Sequence, residues 1–112
     1  MRLDAYTIVF LRRPNDSPQF TEEELGELQR GHLAFNARMR DEGHALITGP
    51  FLDQPDVAWR GISVFRTSIA QTRELLAADP ALTARRMEAD VFTWLMPAGT
   101  LGDRPASAIE VD

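Results

Sequence analysis

The chain of 112 residues contains no cysteine and no lysine, and it has no long apolar run. The missing cysteine excludes disulfides, thiolate metal ligands and cysteine nucleophiles, and the missing lysine excludes Schiff-base chemistry. No stretch approaches the roughly 18 apolar residues that a membrane span needs, so we expect no membrane partner. The twelve basic residues are all arginines, and the formal net charge is −5. Because a basic surface drives nucleic-acid binding, this charge argues against a nucleic-acid partner.

The length fits one domain, and a chain of this size buries roughly 65% of the surface that its unfolded form exposes. We predict a single domain over residues 1–98, followed by a polar tail over residues 99–112. With no disulfide available and a strand-like run from Ala5, we expect no signal peptide and a cytoplasmic location.

Strands and helices alternate along the predicted domain. Runs rich in β-branched and aromatic residues predict strands at 5–11, 44–48, 61–65 and 91–96. Thr21 and Glu24 form a capping box for a helix that ends near Gly43. Ser68 caps a second helix, and Asp79 with Pro80 begins a short third one. This order predicts an α+β, ferredoxin-like β-α-β-β-α-β fold, with an antiparallel sheet and helices on one face.

The first strand is apolar on both of its sides. Its alternating residues are Tyr6, Ile8 and Phe10 on one face and Thr7, Val9 and Leu11 on the other. A sheet of this kind needs a cover on the face opposite the helices, because a bare face would expose a large apolar patch. We therefore predict a homodimer in which two sheets pack face to face as a dimeric α+β barrel.

His32 falls on the apolar stripe of the first helix, with Leu25, Leu28, Phe35 and Met39 at helical spacing. It is either a core histidine bonded to a backbone carbonyl or a general acid/base that lines a cavity. Asp79 has two readings as well. It is an ordinary helix N-cap, or it is a carboxylate that orients His32 and stabilises the imidazolium.

Four segments resemble the YciI-like (YCII-related) proteins over about residues 5–97. They are Gly31-His32-Leu33 with Phe35; Gly43 followed by Gly49-Pro50-Phe51; Arg60 to Phe65; and Ala77 to Ala81 running on to Arg86, Met87 and Trp94. The resemblance implies a dimeric α+β barrel and an active-site pair formed by His32 and Asp79, in a pocket near the dimer interface. It also makes Gly49, Pro50, Phe35 and Trp94 candidate substrate-binding residues.

The leading hypothesis is a cofactor-independent enzyme that acts on a small organic molecule. The resemblance implies lyase or isomerase chemistry, such as proton transfer or elimination on a ring or lactone substrate. One alternative is a non-catalytic, dimeric module that binds a small molecule or regulates a partner, and another is a structural dimer with no ligand. The sequence therefore leaves open whether the chain is an enzyme. His32 and His44 lack the i, i+3 or i+4 spacing of a helical metal pair, and we expect neither a metal nor a cofactor.

Overall fold

A computed structural model describes residues 1–102 and 104–112. It contains one sheet and three helices. The elements in chain order are β1 (Arg2–Arg12), α1 (Glu22–Asp41), β2 (Ala45–Pro50), β3 (Trp59–Phe65), α2 (Ile69–Leu76), α3 (Pro80–Thr83), β4 (Glu88–Pro97) and β5 (Ser107–Glu110). Among these residues, no helix combines the length and hydrophobicity needed to cross a bilayer.

The strand order across the sheet is β2-β3-β1-β4, and every neighbouring pair is antiparallel. β1 lies between β3 and β4, so each crossover that carries a helix skips one strand, as in the split β-α-β arrangement. The predicted α+β, ferredoxin-like order is therefore confirmed. The fifth strand was not predicted: β5 pairs with the first residues of β1, from Arg2 to Ala5.

The helix boundaries follow from local chemistry. The Thr21 side chain accepts the Glu24 backbone N–H at 3.1 Å, and the Glu24 carboxylate accepts the Thr21 N–H at 2.9 Å. This reciprocal pair satisfies two of the backbone donors that the first turn of α1 leaves free. At the other end, Gly43 adopts a φ of +80°, the left-handed conformation that glycine takes without a Cβ clash.

The main core lies between the helices and one face of the sheet. Its buried members are Val9, Leu11, Phe35, Met39, Ala45, Phe65 and Leu76. Full burial of a Val, Leu, Phe or Met side chain stabilises the folded state by about 1.5–3 kcal/mol. The apolar stripe of α1 therefore fixes which way the helix faces, and His32 at the same periodicity must point into the same layer.

The opposite face of the sheet, which we call the open face, carries Tyr6, Ile8 and Phe10 of β1. Segments of the tail cover one end of it: Leu101 packs against a buried cluster of Tyr6, Val64 and Met96. Nearby, the Gly99 N–H donates to the buried Asp4 carboxylate at 2.8 Å. The described parts of the tail thus pack against their own domain, and the predicted boundary at residue 98 stays a prediction.

The rest of the open face is aromatic and exposed. Phe10 contacts the rings of Phe51, Trp59 and Phe92, with centroid separations of 5.6–6.5 Å. Phe92 and Trp94 keep 47% and 45% of their surface accessible. The expectation that neither face of β1 is polar is confirmed. Within the described residues, no segment of the chain covers the aromatic part of the open face.

Candidate active site

His32 and Asp79 form a buried hydrogen-bonded pair. The Nδ1 atom of His32 lies 2.7 Å from Oδ2 of Asp79, and only 1% of the Asp79 residue is exposed. A carboxylate can only accept hydrogen bonds, so we assign the proton to Nδ1 of the imidazole. The other carboxylate oxygen, Oδ1, accepts the Ala81 backbone N–H at 3.0 Å. Asp79 is therefore both the N-cap of α3 and the carboxylate partner of His32, the two roles that the sequence left as alternatives.

A glycine allows the two elements to meet. Gly31 precedes His32 on α1, and Pro80 follows Asp79 at the start of α3. A Cβ on Gly31 would lie 2.5 Å from Cγ of Pro80, closer than real Cβ contacts come. Because residue 31 has no side chain, α1 packs directly against α3, and the neighbouring His32 and Asp79 reach hydrogen-bond distance.

The imidazole opens onto a small cavity of about 130 Å³ between α1 and the β2–β3 hairpin. Its polar wall includes His32, Asn36, Gln29, Ser63 and Arg60. This volume exceeds what a single water molecule occupies several times over. The histidine is consequently a group on a cavity wall, and it is not bonded to a backbone carbonyl in a filled core.

The second ring nitrogen of His32 is the one that a molecule in the cavity would meet. Asp79 lies behind the ring, whereas Asn36 lines the cavity with its Nδ2 atom 3.3 Å from Nε2 of His32. With the proton on Nδ1, Nε2 carries a lone pair that accepts the Asn36 N–H. Nε2 can act as a base once a substrate proton takes the place of the Asn36 N–H, and the carboxylate is placed to stabilise the imidazolium that forms.

The structure brings some predicted ligand-contacting residues to the cavity and leaves others elsewhere. Gly49 and Pro50 line it beside His32, at the end of β2. Phe35 is 3% exposed and belongs to the main core, so it supports α1 without reaching the cavity. Trp94 pairs across β4 and β1 with Tyr6, which lies on the open face. Since cross-strand partners share a face, Trp94 lies on the side of its own sheet away from the cavity.

A second glycine shapes the cavity wall formed by the strands. A Cβ on Gly61 would lie 2.7 Å from the carbonyl oxygen of Gly49. The glycine thus lets β3 approach β2 closely where both strands border the cavity. A Cβ on Gly49 itself would meet nothing within 4 Å, so the two glycines are not equivalent.

Several polar residues of the site were not singled out from the sequence. Asn36 and Gln29 stand four residues after and three residues before His32, and this helical spacing places them on the face that carries the imidazole. Helical periodicity could therefore have identified Asn36 and Gln29 as site residues from the sequence. Ser63 and Arg60 carry no such signal, because only the pairing of β2 with β3 and the packing of α1 bring them to the cavity.

Comparison with known proteins identifies the fold of this chain but does not assign it to a family. No protein-family model matches the chain, and no curated protein is similar enough to count as a relative. The solved structure of 5-chloro-2-hydroxyhydroquinone dehydrochlorinase from Burkholderia phenoliruptrix AC1100, in complex with 2,5-dihydroxybenzoquinone, is similar with a TM-score of 0.58. The identity is 12%, and the match covers 88% of this chain and 99% of that one. The likeness therefore establishes a shared fold.

Proposed function

We propose that this chain is a cofactor-independent enzyme that transfers a proton on a small cyclic substrate. His32 is the acid/base through Nε2, and Asp79 orients the ring through Nδ1. The observation that carries the proposal is the 2.7 Å bond between His32 and a buried carboxylate, on an imidazole that borders a cavity. The similar fold of a dehydrochlorinase, solved with a dihydroxybenzoquinone, supports a small-molecule reaction. At fold level this support is an analogy.

The proposed reaction needs no electron acceptor. Nε2 removes a proton from a carbon or hydroxyl next to a carbonyl, and the Asp79 carboxylate stabilises the imidazolium that results. In an isomerisation, the same proton returns to another atom of the substrate. In an elimination, the electron pair of the broken bond expels a leaving group, and the imidazolium later releases its proton to solvent. Protonation of Nε2 releases the Asn36 N–H that Nε2 had accepted, and this amide then donates to the substrate oxygen.

The cavity favours a small substrate. Its volume of about 130 Å³ in one protomer is below the range of about 300–1,000 Å³ that is usual for drug-sized ligands. Cyclic enols, lactones and halogenated hydroquinones are compact molecules with acidic hydrogens, and they are the classes to screen first. We also propose that the chain is related to the YciI-like proteins, for which a His–Asp pair in a pocket is expected.

The test is a turnover screen with these three classes on the purified chain and on two histidine variants. General acid–base catalysis contributes about 10²–10⁴-fold, so His32→Ala should lose at least about 100-fold in kcat. His44→Ala is the matched control, because His44 is half-exposed and its ring faces Glu42 at 3.6 Å. Turnover that survives His32→Ala would refute the proposal.

The alternative is a non-catalytic module that holds a metabolite in the same cavity. The observation behind it is the same cavity, because about 130 Å³ of space can hold a small metabolite whether or not His32 transfers a proton. It predicts saturable binding of one of the screened compounds with no chemical change over hours. Binding without turnover, abolished by His32→Ala, would decide for the module and against the enzyme.

We also propose that the partner of this chain is a second copy of itself, packed through the aromatic part of the open face. Phe92 and Trp94 remain nearly half exposed there, beside the Phe10–Trp59 contact. Exposed aromatic groups of this kind are typical of association surfaces. Face-to-face packing of two sheets would cover them.

A further inference from the structure

Three arginines converge next to the candidate active site, and we call them the arginine cluster. Arg13 follows β1, Arg60 lies in β3, and Arg86 lies between α3 and β4. All three line a cavity of about 300 Å³ beside the start of α1. These segments are far apart in the sequence, so the tertiary fold alone assembles the cluster.

The cluster has no negative partner in the part of the chain that the structure describes. The ion pairs of residues 1–102 and 104–112 use other cations, namely Arg12, Arg85, His32, His44 and the N-terminus. The Nε atom of Arg13 is buried and has no hydrogen-bond partner. A buried guanidinium donor without an acceptor is costly, because it has lost its water and gained nothing in exchange.

The positive charges also act on one another. Burial lowers the pKa of Arg86 below its ordinary value, and the nearby charges of Arg13 and Arg60 lower it further. Like charges held together without a counter-ion destabilise the folded chain. Such an arrangement is typical of a site that awaits an anion.

The cluster adjoins the histidine cavity directly. Gln29, Arg60 and Met87 line both cavities, so the two spaces share a wall. Arg60 is the member of the cluster that lines the histidine cavity itself, so a molecule that lies against His32 borders this guanidinium group. Arginine is the side chain best suited to bind a carboxylate or phosphate, since its planar fork donates two parallel hydrogen bonds.

We infer that the arginine cluster binds the carboxylate or phosphate of a small organic anion and thereby holds that molecule against His32. The identity of this anion as a substrate rests on the proposed function. The binding of the anionic group rests only on the cluster and its cavity, so the two statements can fail separately.

The first experiment titrates the ¹⁵N-labelled chain with inorganic phosphate, with benzoate and with neutral benzamide, at constant ionic strength. Both anions should shift the Nε–H resonances of Arg13 and Arg86 in a saturable manner, whereas benzamide, the uncharged isostere of benzoate, should not. The tighter of the two anions identifies the preferred group. The inference is overturned if neither anion shifts these resonances, or if benzamide shifts them equally.

Variants then separate the cluster from a general charge effect. Arg13→Gln and Arg86→Gln should each weaken anion binding at least about tenfold, because a charge-assisted bidentate contact is lost. Arg86→Lys should fall between Arg86→Gln and the natural chain. Arg2→Gln is the control: it removes the same charge at the exposed start of β1, the opposite end of the strand from Arg13. A loss as large in Arg2→Gln as in Arg86→Gln would contradict the inference.

Two further measurements are needed. One tests whether Arg86 is a structural residue, and the other separates anion binding from the proposed reaction. Without anion, Arg86→Gln should raise the melting temperature, because it removes repulsion among the three charges; a marked decrease would indicate a structural arginine and would contradict the inference. His32→Asn should retain anion binding. The absence of any turnover would therefore count against the proposed reaction and leave the arginine site to be judged by these titrations.

Discussion

The two faces of the sheet carry different chemistry, although both are built on the same strands. The helix-covered face buries Val9 and Leu11 with the main core and places the imidazole of His32 on a cavity wall. The open face gathers aromatic rings around Phe10 and leaves Phe92 exposed. In this protein the polar, enclosed space lies under the helices, and the apolar, exposed surface lies on the other side. Chemistry is thus expected on one face and association on the other.

The largest effect on the helix-covered face is expected when the Asp79 side chain is removed. Asp79→Ala deletes the N-cap of α3 and leaves the buried imidazole without its acceptor. Losing a cap costs about 0.5–2 kcal/mol and an unpartnered buried donor about 1–3 kcal/mol, so we expect a loss of about 1.5–5 kcal/mol in the free energy of unfolding. Urea denaturation followed by tryptophan fluorescence measures it.

The control for Asp79 is another cap. The Ser68 hydroxyl accepts the Gln71 N–H at 3.2 Å on the surface, and it makes no other hydrogen bond within the described residues. Ser68→Ala should therefore cost only the capping contribution, about 1 kcal/mol. Equal losses in Ser68→Ala and Asp79→Ala would mean that the contact with His32 adds nothing to stability.

Two glycines of α1 give the next largest contrast. Gly31→Ala places a methyl group against Pro80, and such overpacking typically costs about 1–3 kcal/mol. It should also part α1 from α3 and weaken the His32–Asp79 bond, which the Nδ1 proton resonance of His32 reports. At Gly26 a Cβ would meet only the flexible end of Arg30, at 3.3 Å. Gly26→Ala should therefore stabilise the helix by up to about 1 kcal/mol. A stabilising Gly31→Ala would contradict this account of how the pair is assembled.

On the open face, a charge should change association more than stability. Phe92→Glu introduces a carboxylate into the exposed aromatic part, and a substitution at such a site should change the free energy of unfolding of the protomer by less than about 1 kcal/mol. Sedimentation velocity should report a dimer for the natural chain and a monomer for Phe92→Glu. Leu33→Glu, on the exposed side of α1, should leave the dimer intact. A monomeric natural chain would remove the proposed association.

The smallest effect lies at the start of α1. Hydrogen bonds from the Thr21 backbone and side chain lower the pKa of Glu24 below its ordinary value of 4.5. Because the depressed pKa belongs to the folded state, this stabilisation is present above pH 4.5 and is lost as the pH falls through the folded value. Glu24→Gln should therefore be less stable than the natural chain near neutrality and should approach it in acid. Denaturation midpoints at neutral and acidic pH measure the difference, and an unchanged gap would contradict the capping assignment.

The element order could be predicted because each signal was local. The capping box at Thr21 and Glu24, the left-handed Gly43 and the Asp79–Pro80 helix start act within a few residues. Strand ends were less accurate. β4 extends from Glu88 because it pairs with β1 along nearly the whole of that strand. β5 was missed because it is only four residues long and fully exposed, and it becomes a strand only by pairing with the start of β1.

Helical periodicity and residue chemistry determined that His32 points into the sheet-facing layer of α1 and that Asp79 begins a helix. The tertiary structure alone decided that these two residues, 47 positions apart, meet at 2.7 Å. It also decided that Phe35 belongs to the core, that Trp94 lies on the far face, and that three arginines converge where the described part of the chain supplies no counter-ion. The physical reason is that capping and periodicity are set by neighbours in sequence, whereas burial, contact and shared charge depend on which segments the packing of the whole chain brings together.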